Sequence, residues 1–272
     1  MTASVAFLSR LERFRSVGST NDIVRSWMAA GTPEVSLAVA GEQTAGRGRS
    51  GRSWVAPEGA ALLMSLGFRP VYLAADRMWR LAAIVALGMC DAAEAVAGLP
   101  DGRLRLKWPN DIVADMPGGI RKVAGVLGET AGAGTPEPIA IVGIGTNTDW
   151  PHDQFPVELA ETMSSLREVS GGRPIDTDEL LDAFLLRLEP RVIGLRDGHF
   201  DVAGWHARQI TTGRAVELLM PDGRTEHARA VGVDGTSGAL IVESDDGDLG
   251  EREVMVGEVA HVRVDDGPGV TK

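Results

Sequence analysis

Three stretches of sequence decide the fold: RLRLKW at 103–108, GIRKVAGVLGET at 119–130 and PIAIVGIGTN at 138–147. The first alternates strictly, which places Arg103, Arg105 and Lys107 on one face of a strand and apolar side chains on the other. Pro109 then ends the strand. The other two stretches are apolar and are joined by a Gly/Pro-rich segment, which is typical of a hairpin. We therefore predict three strands, the last two paired as a hairpin.

Apolar periodicity and turn signals locate the remaining elements. Helices are predicted at 19–30, 76–97 and 176–196, and buried strands at 35–43 and 59–70. Pro190 is expected to break the last helix. After about residue 210 the sequence has only short strand patterns and tight turns, typical of a small β-barrel or sandwich. We predict an α/β domain at 1–210 followed by a β-module at 211–272.

Composition places the chain among ordinary globular proteins. Its 272 residues are 44% hydrophobic and 24% charged, and the formal net charge is −11. This acidity argues against nonspecific nucleic-acid or membrane binding, which needs a broad basic surface. We find neither a run of the roughly 18–20 apolar residues of a membrane span nor a secretory signal. Because Cys90 is the single cysteine, we expect no intrachain disulfide and a cytoplasmic location.

The most unusual local composition is GRGRSGRSW at 46–54, where three arginines alternate with small residues in an acidic chain. Glycine lets backbone N–H groups approach an anion, and arginine adds bidentate contacts to carboxylates and phosphates. The closing residue, Trp54, can stack on a purine. The composition favours an anion- or nucleotide-binding loop, and a solvated polar loop or RNA-binding segment is the alternative.

Two further motifs place polar groups at the ends of predicted elements. KWPND at 107–111 brings a lysine, an amide and a carboxylate to a strand end, a set suited to phosphate, magnesium and an acyl group. An edge-strand lysine before a turn is the alternative. STN at 19–21 is either a helix cap or the start of a polar pocket.

Lysine is rare in this chain, since the 27 basic residues include only Lys107, Lys122 and Lys272. An internal lysine in an arginine-rich chain indicates a position that needs a compact ammonium. The segment between about 100 and 125 is therefore of interest.

Several common sites are absent from the sequence. There is no GxxxxGK[ST] phosphate loop. GIGTN at 143–147 lacks the third glycine and the following helix of a dinucleotide fingerprint, so we reject that interpretation. The histidines show no ligand spacing and are interpreted as structural or surface residues: His152, His199, His206, His227 and His261. No Ser-His-Asp or Cys-His arrangement is recognisable.

Taken in order, the motifs resemble those of the biotin protein ligases: STN, EQTAGRGRSGRSW, KWPNDI, KVAGVLGE and GIGTN. The resemblance runs from about residue 14 to residue 205. It implies an α/β (α+β) fold, with a class II aminoacyl-tRNA-synthetase-like catalytic core and a small C-terminal SH3-like β-barrel. Longer family members carry a winged-helix DNA-binding domain before the core. Because STN begins at residue 19, we expect no such domain and no specific DNA binding.

The resemblance implies an ATP-dependent reaction in two steps. The carboxylate of biotin attacks the α-phosphate of ATP, giving biotinyl-5′-AMP and pyrophosphate. A lysine of an acceptor, the biotin carboxyl carrier domain of a carboxylase, then attacks the mixed anhydride. ATP is thus a co-substrate with Mg²⁺, and no tightly bound organic cofactor is expected. The expected partners are biotin, ATP and the carrier domain, with a weak homodimer and no membrane.

Roles for individual residues also follow from the resemblance. Biotin contacts are expected from Ser19, Thr20, Asn21, Gln43, Arg47, Gly48, Arg49, Lys107 and Gly125. Contacts to ATP or the adenylate are expected from Arg47, Arg49, Arg52, Trp54, Asn110 and Asn147. Lys107 matches the central lysine of the family, so Lys107 and Arg49 are the expected catalytic residues. Asn110 and Asp111 are candidates for the magnesium side, and the loop is expected to order over the ligand.

Two alternatives stay open at this point. A lipoate–protein ligase has a related fold and parallel chemistry, but its usual serine–triple-glycine loop is absent here. A nucleotide- or biotin-responsive regulator without catalysis is the other alternative, and the presence of Lys107 and of the complete loop argues against it.

Overall fold

A computed structural model of the protein describes residues 7–244, 250–256 and 261–264. Two β-sheets organise this part of the chain. Lys272, which the sequence singles out as one of few lysines, lies outside the described residues, as does the rest of 265–272 in the predicted β-module.

The larger sheet has seven strands. They are β1 (Arg10–Val17), β2 (Ser36–Gln43), β3 (Ala61–Phe68), β4 (Leu104–Lys107), β5 (Asp111–Met116), β6 (Gly119–Ala131) and β7 (Ile139–Asn147). Their order across the sheet is β1-β2-β3-β7-β6-β5-β4. β1 and β2 are parallel, and the other neighbours are antiparallel. The predicted hairpin is confirmed, because β6 and β7 pair from Ala124–Thr146 to Ala131–Ile139.

Helices cover both faces of this sheet. The described residues form α1 (Thr20–Ala29), α2 (Trp79–Ala97), α3 (Val157–Ala160), α4 (Leu166–Val169), α5 (Thr177–Arg196) and α6 (Val202–Ala207). On one face, Val24 and Met28 of α1 pack with Ala38 and Ile141 of the sheet. The larger core, with α2 and α5, covers the opposite face. None of the helices within the described residues is long and apolar enough to span a lipid bilayer.

The smaller sheet lies in the C-terminal part of the chain. Its strands are β8 (Ala215–Leu219), β9 (Thr225–Val233), β10 (Leu240–Ser244), β11 (Arg252–Val254) and β12 (His261–Val264). Their order is β11-β10-β9-β8-β12, and each neighbouring pair is antiparallel. The prediction of short strands after about residue 210 is confirmed. This sheet is tied to the larger one, since Trp108 Nε1 donates to the carbonyl of Gly238 at 2.9 Å.

The alternation of RLRLKW also appears in the structure. Leu104, Leu106 and Trp108 are buried, whereas Arg105 and Lys107 are half-buried. Two strands of the large sheet were not predicted from the sequence. β1 is an edge strand rich in charged residues, and β5 is short and begins at Asp111, the last residue of KWPND. Neither has the apolar run by which buried strands are recognised.

The predicted break at Pro190 is wrong, because α5 continues through this residue to Arg196. Proline removes one helical N–H, and the carbonyl left without its partner belongs to Leu186. Both Leu186 and Pro190 are exposed, so water can reach that carbonyl. The lost hydrogen bond is therefore replaced by solvent, and the helix does not end.

A buried carboxylate links three parts of the α/β domain. Glu94 on α2 is 1% exposed. Its Oε1 accepts the backbone N–H of Leu104 at 2.7 Å, and its two oxygens accept from Arg208 at 2.9 and 2.8 Å. These bonds raise the pKa of Arg208. Glu94 thus fixes the start of β4 and the chain after α6 against α2.

We expect Glu94→Ala to lower the free energy of unfolding by about 3 kcal/mol, because it leaves the buried N–H of Leu104 without an acceptor and removes two hydrogen bonds of Arg208. Urea unfolding followed by circular dichroism measures this change. The matched control is Asp178→Ala, which removes the ion pair of an exposed carboxylate with Arg13 and is expected to cost at most about 1 kcal/mol. Equal costs for the two variants would contradict the structural role of Glu94.

Candidate active site

The start of α1, the Gly/Arg loop and strands β6 and β7 meet on the α1 face of the large sheet. They enclose a cavity of about 30 Å³, here called the α1 slot. Its lining includes these predicted residues: Ser19, Thr20, Asn21, Gln43, Arg47, Trp54 and Gly125. Gly48, Arg49 and Lys107 line a neighbouring cavity instead. The structure therefore divides the predicted biotin contacts between two adjoining cavities.

A hydrogen-bonded group of side chains forms the polar end of the slot. Gln43 Oε1 accepts the backbone N–H of Thr20 at 2.7 Å and lies 3.1 Å from Thr20 Oγ1. The hydroxyl of Ser65 lies 2.6 Å from Thr20 Oγ1 and 2.6 Å from Asn21 Oδ1. Asn21 Nδ2 is buried and has no hydrogen-bond partner among the described residues. The slot thus presents a fixed donor that an acceptor on a ligand can satisfy.

Two of these residues sharpen the sequence interpretation. Ser19 precedes α1 as its N-cap residue, but within the described residues its side chain makes no capping hydrogen bond. Since Ser19, Thr20 and Asn21 are all buried around the slot, the structure favours a pocket over a simple cap. Ser65 was missed from the sequence; the available signal was a lone hydroxyl inside the apolar run of β3, where it is fully buried.

Glycines form the floor of the slot because other groups approach it too closely for a side chain. A Cβ on Gly145 would lie 2.5 Å from the indole of Trp54, and a Cβ on Gly143 would lie 2.3 Å from Asn21 Oδ1. Gly125 on β6 also lies beneath the indole, with a Cβ there 3.1 Å from Trp54 Cζ3. The glycines of the GIGTN motif therefore let Asn21 and Trp54 lie directly on the floor of the slot.

The Gly/Arg loop folds back on itself across a short neck. Arg47 and Ser53 form an antiparallel bridge, and the N–H of Trp54 donates to the carbonyl of Gly46 at 2.9 Å. At the other end of the loop, Arg49 Nη2 donates to the carbonyl of Val256 at 2.7 Å. The loop thus lies between the α1 slot and the smaller sheet.

A larger cavity of about 600 Å³ adjoins the slot and is here called the cationic cavity. Its charged lining includes Arg49, Arg52, Lys107, Lys122, Asp111 and Arg263. Burial lowers the pKa of Arg49, and the charge of Asp111 opposes that effect. A cation with little water around it interacts more strongly with an incoming anion. The cavity is therefore suited to a polyanionic ligand.

Lys122 is a site residue to which sequence reasoning assigned no role. Its Nζ lies 2.7 Å from Asp111 Oδ1 and 5.3 Å from the centroid of the Trp54 ring. A Cβ on Gly125 would lie 2.9 Å from Lys122 Nζ, so this ammonium stands at the border of the slot and the cationic cavity. Lys107 lies on β4 opposite Asp111 in the β4–β5 hairpin and lines the cationic cavity.

The two predicted nucleotide-side asparagines have different positions. Asn110 lines the cationic cavity, and its Nδ2 donates to the carbonyl of Val126 at 2.8 Å. Asn147 is fully buried and donates to the carbonyl of Ser164 at 2.9 Å. The described lining of the slot and of the cationic cavity does not include Asn147.

The described residues contain no cluster of three or more His, Cys, Asp or Glu side chains placed to hold a metal ion. Asp111 nevertheless brings a carboxylate, and Asn110 a side-chain oxygen, to the wall of the cationic cavity. This small donor set fits Mg²⁺, which keeps several waters and is held largely by the phosphates of a nucleotide.

Comparison with known proteins agrees with this arrangement. Residues 13–147 match the model of the biotin/lipoate A/B protein ligase family, and residues 211–262 match that of the biotin protein ligase C-terminal domain. The chain is 31% identical to the biotin–[acetyl-CoA-carboxylase] ligase of Mycobacterium tuberculosis, over 93% of this chain and 90% of the relative. It is 34% identical to the enzyme of the same name from Paracoccus denitrificans, over 85% and 92%.

A solved structure shows the same likeness. The biotin protein ligase from Aquifex aeolicus, in complex with biotin and ATP, matches with a TM-score of 0.76 at 26% identity, covering 94% of this chain and 99% of the other. These relatives extend over nearly the whole chain, and a hydrogen-bonded slot beside a cationic cavity agrees with them. The protein therefore belongs to the biotin protein ligase family.

Proposed function

We propose that the protein is an ATP-dependent biotin–[biotin carboxyl carrier protein] ligase, which forms biotinyl-5′-AMP and transfers the biotinyl group to a lysine of a biotin carboxyl carrier domain. One observation carries this proposal: the α1 slot and the cationic cavity share Arg47, Trp54 and Gly125 in their walls. A ligand with a neutral, hydrogen-bonding head and an anionic tail can thus reach both spaces at once.

The first step brings two anions together. The head of biotin bonds to Thr20, Asn21 and Gln43, and its carboxylate points into the cationic cavity. One carboxylate oxygen bonds to the α-phosphorus of ATP while the bond to pyrophosphate breaks. Arg49, Lys107 and Lys122 offset the repulsion between the anions and stabilise the charge that builds on the phosphoryl oxygens.

The second step requires protection of the mixed anhydride from water. The amine of the acceptor lysine attacks the acyl carbon, AMP leaves with the bonding electron pair, and the amine loses its proton. A slot of about 30 Å³ is far smaller than the 300 Å³ or more, roughly, of common ligand pockets. The loop and Trp54 therefore move to admit biotin and close again over the adenylate.

Magnesium enters this proposal through the nucleotide. Asp111 and the side-chain oxygen of Asn110 are the groups that would hold it at the cationic cavity. When bound, Mg²⁺ neutralises phosphate charge and orients the leaving pyrophosphate.

The finer description of the fold belongs to the same proposal. We assign the large sheet with its helices, residues 1–210, to a class II aminoacyl-tRNA-synthetase-like core, and residues 211–272 to an SH3-like module. The family matches at 13–147 and 211–262 support this division. We also propose that the enzyme is cytoplasmic, that it acts as a monomer or weak homodimer, and that it does not bind specific DNA sequences.

Pyrophosphate release tests the function directly. We expect release with biotin plus ATP and none with lipoate plus ATP, because the polar end of the slot is built for a head with hydrogen-bonding groups. Labelled biotin should then appear on a purified carrier domain. Release driven by lipoate, or adenylate formation without labelling of any carrier domain, would contradict the proposal.

Removal of either lysine is expected to slow adenylate formation. Lys107→Ala and Lys122→Ala should each reduce the single-turnover rate about 100-fold or more, with a smaller loss of biotin affinity. Quenched-flow measurement of biotinyl-adenylate separates the rate from binding. Arg103→Ala, at the residue directly before β4 and outside the described lining of both cavities, is the control. An unchanged first-step rate would remove the substituted lysine from this role.

Gly145→Ala is expected to weaken biotin binding, because the added methyl projects from the floor of the slot into the space that biotin takes when Trp54 moves; the indole now lies 2.5 Å from that Cβ position. Overpacking typically costs about 1–3 kcal/mol, which corresponds to roughly a 5- to 150-fold rise in Kd. Titration calorimetry measures it. The control is Gly128→Ala on the opposite face of β6, where the nearest atom lies 3.9 Å from the new Cβ. Equal affinities for both variants would argue against a glycine floor beneath the ligand.

A further inference from the structure

Arg47 was expected to bind biotin and the adenylate, yet its guanidinium already has two acidic partners. Its Nη1 and Nη2 lie 2.7 and 2.8 Å from the two oxygens of Asp22. Its Nη2 also lies 3.6 Å from Glu129 Oε1. Arg25 pairs with the same two carboxylates. Two arginines and two carboxylates thus form a cluster with no net charge, here called the α1–β6 cluster.

The charges of this cluster are mutually stabilised. Hydrogen bonds from Arg47 hold the pKa of Asp22 below its usual value, and the same bonds raise the pKa of Arg47. The bidentate geometry also fixes the orientation of the guanidinium plane. Both Arg47 and Arg49 line the cationic cavity. Because the charge of Arg47 is offset by two carboxylates and Arg49 is desolvated, Arg47 attracts an additional anion less than Arg49 does.

The cluster lies where it controls the neck of the loop. Arg47 forms the backbone bridge to Ser53, and the next residue, Trp54, covers the glycine floor of the slot. Asp22 directly follows Asn21 on α1, and Glu129 lies on β6, two residues beyond the slot-lining Leu127. The acidic partners therefore stand on the two rigid elements that form the walls of the slot.

We propose that Asp22 and Glu129 are positioning residues that hold the neck of the loop closed over the α1 slot through Arg47, which acts as an anchor and not as an anion ligand. This deepens the proposed function and rests on it. Within the Gly/Arg loop the two arginines have different roles. Arg47 fixes the loop to α1 and β6, and Arg49 supplies positive charge to the reaction.

Three variants test the anchor: Asp22→Asn, Glu129→Gln and Arg47→Lys. Lysine keeps the charge of Arg47 but cannot make the bidentate contact. In the ligand-free protein, each variant is expected to raise the rate of tryptic cleavage within 46–54 about three- to tenfold, the range for a bidentate but partly exposed pair. The release rate of biotinyl-adenylate should rise by a similar factor, with kcat for pyrophosphate release changed less than KM for biotin.

The double variant Asp22→Asn/Arg47→Lys distinguishes an anchor from two separate roles. Both changes break the same contact. Loop cleavage and adenylate release should therefore be only slightly faster in the double variant than in the stronger single variant. Asp178→Asn, which alters an exposed carboxylate on α5 that pairs with Arg13, is the matched control and should behave as the wild type. Thermal unfolding verifies that the variants are folded. If Asp22→Asn does not fold, Glu129→Gln decides the test.

Two results would overturn the proposal. One is wild-type loop cleavage and adenylate release in folded Asp22→Asn and Glu129→Gln, with only Arg47→Lys impaired, because Arg47 would then act on the ligand. The other is loss of first-step chemistry in Asp22→Asn at saturating biotin and ATP. Failure of the proposed function is distinguishable, because the wild type would form no adenylate while ligand-free cleavage would still report on the anchor.

Discussion

The whole site depends on how closely other groups approach the backbone of β6 and β7. Gly143 and Gly145 have no side chain, so Asn21 and the indole of Trp54 lie directly on the sheet. That contact places the start of α1 and the end of the Gly/Arg loop within reach of each other. Side chains at these positions would push Asn21 and the indole of Trp54 away from the sheet.

The loop shows how one short segment combines flexible backbone with fixed attachment. Glycines give it the conformations that close approach to an anion requires. Its neck is nevertheless held by a backbone bridge, by an ion-pair cluster on α1 and β6 and by the half-buried indole of Trp54. Catalysis on a hydrolysable intermediate needs both properties, because the loop has to open for the substrate and then exclude water.

Much of the fold could be predicted from sequence because its central strands and long helices carry strong local patterns. β6, β7, α2 and α5 lie within one to three residues of their predicted bounds. The charged edge strand β1 and the short β5 lack such a pattern. The continuity of α5 through Pro190 depends on the exposure of one carbonyl, which no local pattern reveals.

The same distinction applies to the site residues: those within a local sequence motif could be predicted, and those placed by tertiary contacts could not. Motifs indicated the residues of STN, Gln43 and the arginines of the loop, and the structure brings them around two adjoining cavities. Lys122, Ser65, Asp22 and Glu129 could not be assigned from sequence, because their positions depend on strand register and on which faces of α1 and β6 meet. A lysine in an arginine-rich chain was a visible signal for Lys122, but only the pairing of β5 with β6 places it beside Asp111.

The hydrogen bond from Arg49 to the carbonyl of Val256 joins the catalytic loop to the segment after β11. A loop movement that carried Arg49 away from Val256 would break this bond, so the free energy of that movement would depend on the C-terminal module. By thermodynamic reciprocity, any macromolecule that binds the module more tightly in one loop state shifts the loop toward that state, by the difference between its two binding free energies. Under the proposed function, a carrier domain that binds the module would act on the loop in this way.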